Sequence, residues 1–478
     1  MEQIHHKFFQ AAKNGDLETI IDVFPLIKRN KNIVNEDGRT ALDLACRFGH
    51  LNIVKYLLSQ DKIDANAKNK RGATPFYIAC QEGQLEVVKY MIDIPRIQKD
   101  CEQIERWTPI YSACHYGRKE IVKLLLEKKI VDFKPSKLFM ACLEGDLETV
   151  RCIMERKTTT TTSSSSSPPP PPPPSFSLLS SEIDLNNELI NEGDPNVIEL
   201  ECVTPFFIAC SCRHIGVVEY LLSHPYVNPN KKTMFGVPPF MIVCEQGNLE
   251  MVELLLKNDL VNVCETVDDG ATSFLFACLE GHTEIVKRLM QDKRINPNRA
   301  DNLGYTPFFS ACQEGHVEVV RYLIESNVVD VNQTTNDNTS PLFIACQEDQ
   351  LEVVRLLLKD NRVDPNFEKN SHVTPLFIAC EKGLDRVVEA LLNDERIVCR
   401  YECLRASCKK GVPNVLKRCL VKGVYSNQQI ADLLLDAISQ KEQCQHILND
   451  FLQDKQKTIR LFNNQVRQGI YQAKRKKT

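Results

Sequence analysis

Apolar positions along the chain fall into short runs that return at a fixed distance. One run reads TPFYIAC at 74–80. Near-copies stand at 108–114 (TPIYSAC), 204–210 (TPFFIAC), 238–244 (PPFMIVC), 272–278 (TSFLFAC), 306–312 (TPFFSAC), 340–346 (SPLFIAC) and 374–380 (TPLFIAC), and TALDLAC at 40–46 is a further member. The copies start at positions 40, 74 and 108, and again at 204, 238, 272, 306, 340 and 374, with one unvarying step inside each run. Degenerate copies flank these, HKFFQAA at 6–12, SKLFMAC at 136–142 and ECLRASC at 402–408, which brings the set to twelve. A period of this length marks a repeat architecture.

Each copy predicts two helices. Thr74 suits an N-cap and Pro75 the first helical turn, where its missing N–H costs nothing. The residues FYIAC then supply a short apolar helix. Gly83 follows at the place where a helix ends with positive φ, and Gly49, Gly117, Gly145, Gly247, Gly281, Gly315, Gly383 and Gly411 hold the same slot. The second helix reads LEVVKYMI at 85–92, LEMVELLL at 249–256, VEVVRYLI at 317–324 and LEVVRLLL at 351–358. Its apolar residues recur at helical spacing, and its early Glu suits the positive end of the helix. Polar segments such as Asp64-Ala65-Asn66, Asn296-Pro297-Asn298 and Asp364-Pro365-Asn366 return the chain through turns. A single pair leaves an apolar face bare, and stacked pairs bury it. The predicted fold is therefore an all-α solenoid of stacked helix–turn–helix units with finger loops between them.

This pattern resembles the ankyrin repeat, whose signature T-P-L-H-x-A recurs over about 33 residues. The resemblance covers roughly 1–425, apart from one interruption. The family's His is absent from every copy, and in most of them Phe or Tyr stands there instead, as at Tyr77, Phe207 and Phe377. The resemblance implies a protein-binding scaffold or adaptor, and neither catalysis nor a cofactor is expected. A regulatory inhibitor that masks a partner and a spacer without a dedicated ligand are the alternatives.

Twenty cysteines occur, and eleven of them hold one repeat slot: Cys46, Cys80, Cys114, Cys142, Cys210, Cys244, Cys278, Cys312, Cys346, Cys380 and Cys408. A free Cys behaves as a small buried hydrophobe, so core packing is the expectation. Neighbouring copies would set these thiols about 8–10 Å apart, too far for disulfides. A reducing compartment, cytoplasm or nucleus, follows. Cys399, Cys403 and Cys408 lie close together with His446 downstream, but no C-x-x-C pair occurs and no zinc site is expected.

Residues 158–174 are five Thr, five Ser and seven Pro, which cannot pack a core. The distance from Ser136 to Thr204 is twice the regular step. Removing 157–190 joins RCIMER at 151–156 to NEGDPN at 191–196 and reproduces the length of RLLLKDNRVDPN at 355–366. The tract thus reads as a disordered insertion in a continuous array. Two solenoids joined by a linker is the competing reading, with IDLNNELI at 183–190 as a shielding helix. The expected organisation is repeats over 1–156, the insertion over 157–190, repeats over 191–425, and a helical cap with a basic tail over 426–478. Pro168 to Pro174 would span about 22 Å as polyproline II and could dock a polyproline-reading domain. A plain linker is the alternative there.

Net charge is −4, and 453–478 contribute +7, which leaves −11 on 1–452. An acidic body argues against nucleic-acid binding. No apolar run approaches the length that a membrane-spanning helix needs, so no span is expected, and the first residues do not read as a secretory leader. The phosphate-cradling, dinucleotide, zinc-protease and serine-hydrolase motifs do not occur. His50, His282 and His316 follow the helix-ending glycine and read as structural. The segments 428–440 and 443–452 read as amphipathic helices capping the array, and Lys474 to Lys477 read as a frayed tail or a nuclear import signal.

By the resemblance, the two residues between the core Cys and the glycine slot face a concave groove. The candidate partner-binding residues there are Glu82, Tyr116, Glu144, Glu245, Glu280, Glu314, Glu348 and Glu381. Glu280, Glu314 and Glu348 recur in consecutive copies and would line up into an acidic stripe that favours a basic protein face. A solvated polar face is the alternative. The loop tips Lys68 to Arg71, Lys231 to Met234, Arg299 to Asn302 and Thr334 to Asn338 differ between copies and offer a second contact surface.

Overall fold

The computed structural model describes residues 2–27, 32–35, 38–100, 107–130, 135–162, 203–369 and 373–422, with 426, 429, 447, 448 and 453 besides. Most of the expected insertion, the Pro168 to Pro174 run, the cap helices and the basic tail lie outside these residues. The chain divides into two compact units, Met1–Asp268 and Asp269–Thr478.

The first unit holds seven helix pairs among the described residues. They are α1 (Glu2–Asn14) with α2 (Leu17–Val23), α3 (Ala41–Arg47) with α4 (Leu51–Leu58), α5 (Pro75–Glu82) with α6 (Leu85–Ile92), and α7 (Pro109–His115) with α8 (Lys119–Glu127). Then follow α9 (Lys137–Glu144) with α10 (Leu147–Thr162), α11 (Pro205–Ser211) with α12 (Ile215–Leu222), and α13 (Pro239–Glu245) with α14 (Leu249–Leu256). The second unit holds five: α15 (Ser273–Leu279) with α16 (Thr283–Met290), α17 (Pro307–Glu314) with α18 (Val317–Ser326), α19 (Pro341–Gln347) with α20 (Leu351–Leu358), α21 (Pro375–Lys382) with α22 (Asp385–Leu392), and α23 (Tyr401–Lys410) with α24 (Pro413–Lys422). Each pair falls on one sequence copy, as the solenoid expectation requires. The helix α10 runs on to Thr162, past the start of the expected insertion, because the helix that starts at Leu147 propagates into the threonines.

The first helices of the pairs stack side by side, α1–α3–α5–α7 in one row, α9–α11–α13 in another, and α15–α17–α19–α21–α23 in the second unit. α11 follows α9 in its row although the insertion lies between them in sequence. A capping hydroxyl starts most of the first helices: those of Thr74, Thr108, Ser136, Thr204, Thr272, Thr306, Ser340 and Thr374 each accept the N–H three residues on. Gly315 ends α17 in the left-handed region at φ +81°. A Cβ there would collide with the Gln350 side chain, which passes over it to donate to the Gln313 carbonyl at 3.0 Å. His50 and His316 reach the Lys13 and Leu279 carbonyls in the same way, at 2.9 and 2.7 Å, as the structural reading of these histidines expects.

All eleven slot cysteines are buried. In α17 the whole run Pro307 to Cys312 is buried, and α18 adds Val319, Val320 and Leu323. Burial pushes the thiols of Cys46, Cys80, Cys244, Cys278, Cys312 and Cys346 above their ordinary range. In α3 the slot that elsewhere holds Tyr77 or Phe207 holds Asp43, which is fully buried. Its Oδ2 accepts from the Thr40 N–H at 2.7 Å and the Thr40 hydroxyl at 3.0 Å, and its Oδ1 finds no partner.

A second feature ties repeat to repeat. Asn332 Nδ2 donates to the Arg362 carbonyl at 2.6 Å, and its Oδ1 accepts the Asp364 N–H at 2.9 Å. Asn32, Asn66, Asn230, Asn298 and Asn366 make the same two-way bridge to the following repeat. Beside these bridges, the Arg362 and Arg396 guanidiniums donate to the Ile324 and Leu358 carbonyls at 2.9 and 2.7 Å, near the ends of the preceding second helices.

Two outcomes follow. Asn332→Ala removes both bonds of one bridge and should cost about 1–3 kcal/mol. Hydrogen exchange should show lost protection concentrated at 351–366, and uniform protection would disprove the bridge's role. Asp43 supplies a pH test. Burial pushes its carboxyl up to about 6, above the unfolded value of 3.8. The folded state therefore favours the neutral acid. The contribution to stability is full below about pH 4 and is lost as pH rises through 6, about 3 kcal/mol at about 1.4 kcal/mol per unit. Asp43→Asn should flatten the fall in melting temperature between pH 4 and 7, as read by paired pH melts of the two proteins.

Candidate functional site

The first helices α15, α17, α19 and α21 are only about two turns long, so the capped start and fixed end of each place its end residues on one edge of the row. In the second unit these are Leu279 and Glu280, Gln313 and Glu314, Gln347 and Glu348, and Glu381 and Lys382. Glu280, Glu314, Glu348 and Glu381 are all exposed. Glu314 accepts a hydrogen bond from Gln313 Nε2 at 3.0 Å and Glu348 from Gln347 Nε2 at 2.8 Å. Both donors are neutral amides, so neither bond is an ion pair. Lys382 Nζ donates to the Gln347 carbonyl at 2.6 Å.

The loop before α17 is shaped by Asp301, whose Oδ1 accepts the Leu303 and Tyr305 N–H groups at 2.9 and 2.8 Å. That turn leaves Leu303 61% exposed at its tip. The next loop is locked by Asp337, which meets Lys369 at 2.7 Å and accepts from the Thr335 and Thr339 hydroxyls. The Lys369 ammonium and these hydroxyls hold the Asp337 carboxyl well below the usual carboxylate range. It is thus charged and spoken for.

The first unit treats the same slots differently. Glu82 lies 3.5 Å from the Arg47 guanidinium, and Glu144 pairs with Lys123. His115 Nε2 donates to Glu245 Oε2 at 3.0 Å, with the imidazole buried. The Tyr116 ring packs edge-on against that imidazole at 4.8 Å. The candidate residues therefore do not act alike: Glu314 and Glu348 in the second unit are exposed and meet neutral amides, and the four in the first are engaged with ionic or ring partners of their own chain.

Sequence reasoning passed over Trp107, Tyr111, Thr233 and Phe235, which surround the His115–Glu245 pair. The ring centroids of Tyr111 and Phe235 are 4.3 Å apart, and Trp107 lies 4.8 Å from Tyr111. Only the single Trp of the chain hinted at something special there. The bridging asparagines were also missed as a set, although their recurrence at the repeat spacing was on view in Asn298, Asn332 and Asn366.

Among the described residues no group of three or more His, Cys, Asp or Glu side chains is placed to hold a metal ion, and no helix is long and apolar enough to cross a membrane. Cys380 and Cys419 are joined by a thiol–thiol contact with their sulfurs 3.7 Å apart.

Comparison with known families matches ankyrin repeats, in sets of three copies, to residues 8–102, 178–263, 240–335 and 327–401. A single ankyrin repeat matches 105–134. Comparison with curated proteins returns no match. Ankyrin repeats are in general protein–protein interaction modules, and the proteins that carry them are typically not catalysts. With stacked helix pairs among the described residues and family matches over most of its length, the chain belongs to the ankyrin-repeat family.

Proposed function

We propose that this protein is a non-catalytic adaptor that recognises a protein partner through its second unit. The partner presents a basic face to Glu280, Glu314, Glu348 and Glu381, and the finger at Leu303 and Tyr305 supplies apolar area beside them. The observation that carries this reading is the contrast between the two units. Glu82, Glu144 and Glu245 already face Arg47, Lys123 and His115, and a partner would have to break those contacts first. Glu314 and Glu348 in the second unit are exposed and meet neutral amides instead. Carboxylates in one row sum their fields over a few ångströms, which steers a cationic partner and favours its capture. Buried free thiols in eleven of the twelve repeats support a reducing compartment, cytoplasm or nucleus, as the place of action.

The test is charge reversal. Glu280→Lys, Glu314→Lys and Glu348→Lys combined should weaken binding to a lysine- and arginine-rich peptide by at least tenfold, about 1.4 kcal/mol, with the melting temperature nearly unchanged. Binding of the wild type should also fall steeply with salt. Equal affinity of the two proteins for the peptide would remove the basic-partner reading, and would leave the spacer reading standing.

A further inference from the structure

The repeat that ends in α24 carries three thiols at positions where the neighbouring repeats have none. Cys419 stands in α24 where Leu391, Leu357 and Leu323 stand in α22, α20 and α18. Counted back from the slot cysteines, Cys403 takes the place of Pro307, Pro341 and Pro375. Cys399, three residues after Arg396, takes the place of Pro297 and Pro365, three residues after Arg294 and Arg362. The fold brings all three to the slot thiol of Cys380. Cys380 Sγ lies 3.7 Å from Cys419 Sγ, and the Cys399 thiol donates to the Cys419 carbonyl at 3.8 Å. The Cys403 and Cys419 thiols each hydrogen-bond with both Cys380 and Cys399. A leucine fills the α24 position in the other second helices, so core packing alone does not call for a ring of four sulfurs here.

The four differ in access. Cys380, Cys403 and Cys419 are buried, and Cys399 is half-buried. The bonds with Cys403 and Cys419, and burial after them, push the Cys380 thiol up. On Cys403 and Cys419 the bond with Cys380 acts downward. The bond with Cys399 and burial outweigh it, so Cys403 is raised to about 12 and Cys419 is raised as well. These three stay protonated near neutral pH and covered from a dissolved oxidant. Cys399 is the one member of the ring that solvent meets, and a second thiol stands beside it. That combination of an accessible sulfur and an adjacent resolving sulfur is what reversible thiol oxidation needs.

We propose that this ring is an oxidation site for peroxides, in which Cys399 meets the oxidant and Cys419 resolves it into a disulfide. Cys399 Sγ takes one oxygen from hydrogen peroxide as the O–O bond breaks, which gives a sulfenic acid and one water. Cys419 Sγ then attacks the Cys399 sulfur, the S–O bond breaks, and the leaving hydroxide departs as water with the Cys419 proton. Two thiols lose two electrons and the peroxide gains them. The bond from Cys380 favours the Cys419 thiolate that attacks. Cys380 and Cys419 are in direct contact, but neither is open to the oxidant. The disulfide ties the turn ahead of α23 to α24, and a dithiol reductant reverses it. Transient disulfides of this kind are the ones a reducing compartment permits. None of these residues belongs to the acidic row, so the inference stands apart from the basic-partner reading.

The experiment exposes the reduced full chain to hydrogen peroxide, blocks remaining thiols with N-ethylmaleimide under denaturing conditions, and maps tryptic peptides by mass. Cleavage after Arg396, Arg400, Arg405, Arg418 and Lys422 sets Cys399, Cys403 and Cys419 on three separate peptides. A 397–400 peptide linked to a 419–422 peptide should appear and vanish on treatment with dithiothreitol. Cys312, which burial alone pushes up, should stay fully labelled. Cys419→Leu restores the residue of the other second helices; it should cut link formation at least tenfold and let Cys399 proceed to sulfinic acid. Should Cys419→Leu lose helical signal, Cys399→Ser decides, since it changes a half-buried turn residue; Cys419 should then stay fully labelled after peroxide. Oxidation of Cys399 no faster than that of Cys312, or a Cys399 link to Cys403 in place of Cys419, would overturn the proposal. So would a Cys380–Cys419 link that still forms in Cys399→Ser.

Discussion

The whole structure depends on a helix that is too short to stand alone. A first helix such as α17 spans only Pro307–Glu314, and isolated helices become marginal in water below roughly 12–15 residues. The unbroken run from Pro307 to Cys312 is buried, so the helix has no dispensable side. Both flanks must be covered by the same element of the neighbouring repeats. The small slot residues, Ala311 and Cys312, let those flanks approach closely, and the larger rings fill the remaining space. Stability in such an array is a sum of weak repeats and favourable interfaces, so any loss at one interface is felt next door.

That dependence explains what could be read from the amino acids and what could not. The packing rule is local and periodic, so it repeats in sequence: Thr74, Thr306 and Thr374 cap their helices as expected, and the glycines and buried cysteines fall in register. The asparagine bridges are periodic too, yet Asn332 reads simply as a turn former until its partners at Arg362 and Asp364 are in place. The side-chain partners of the helix-end positions gave no periodic signal. Glu82 and Glu245 share the helix-end positions with Glu348, and nothing local separates them. Arg47 and His115, which engage the first two, come from the ends of other first helices.

The two treatments of those positions have different electrostatic consequences. A carboxylate held by a cation of its own chain presents a dipole to the outside, whose field dies away quickly. A carboxylate held by a neutral amide, as Glu314 and Glu348 are, keeps its monopole, and alignment in consecutive repeats adds the fields. The difference matters because the residues between the acids are fixed by the stacking and leave the row little else to vary. Recognition chemistry can therefore change at these positions and at the loop tips without disturbing the core beneath, which is what a repeat scaffold needs if one architecture is to serve different partners.

The end of the row at α7 follows from the same rule. A row of first helices must end somewhere, and its terminal helix exposes a flank that every other member buries. At α7 the register breaks, and the following repeat carries Asp146 where its counterparts carry His50, Gln84 or Arg118, side chains that reach back to a carbonyl of the preceding repeat. The bare flank is then covered by whatever surface can supply donors for the Cys114 and His115 carbonyls and rings for Trp107 and Tyr111. Ser211, Gln246 and Phe235 meet those needs.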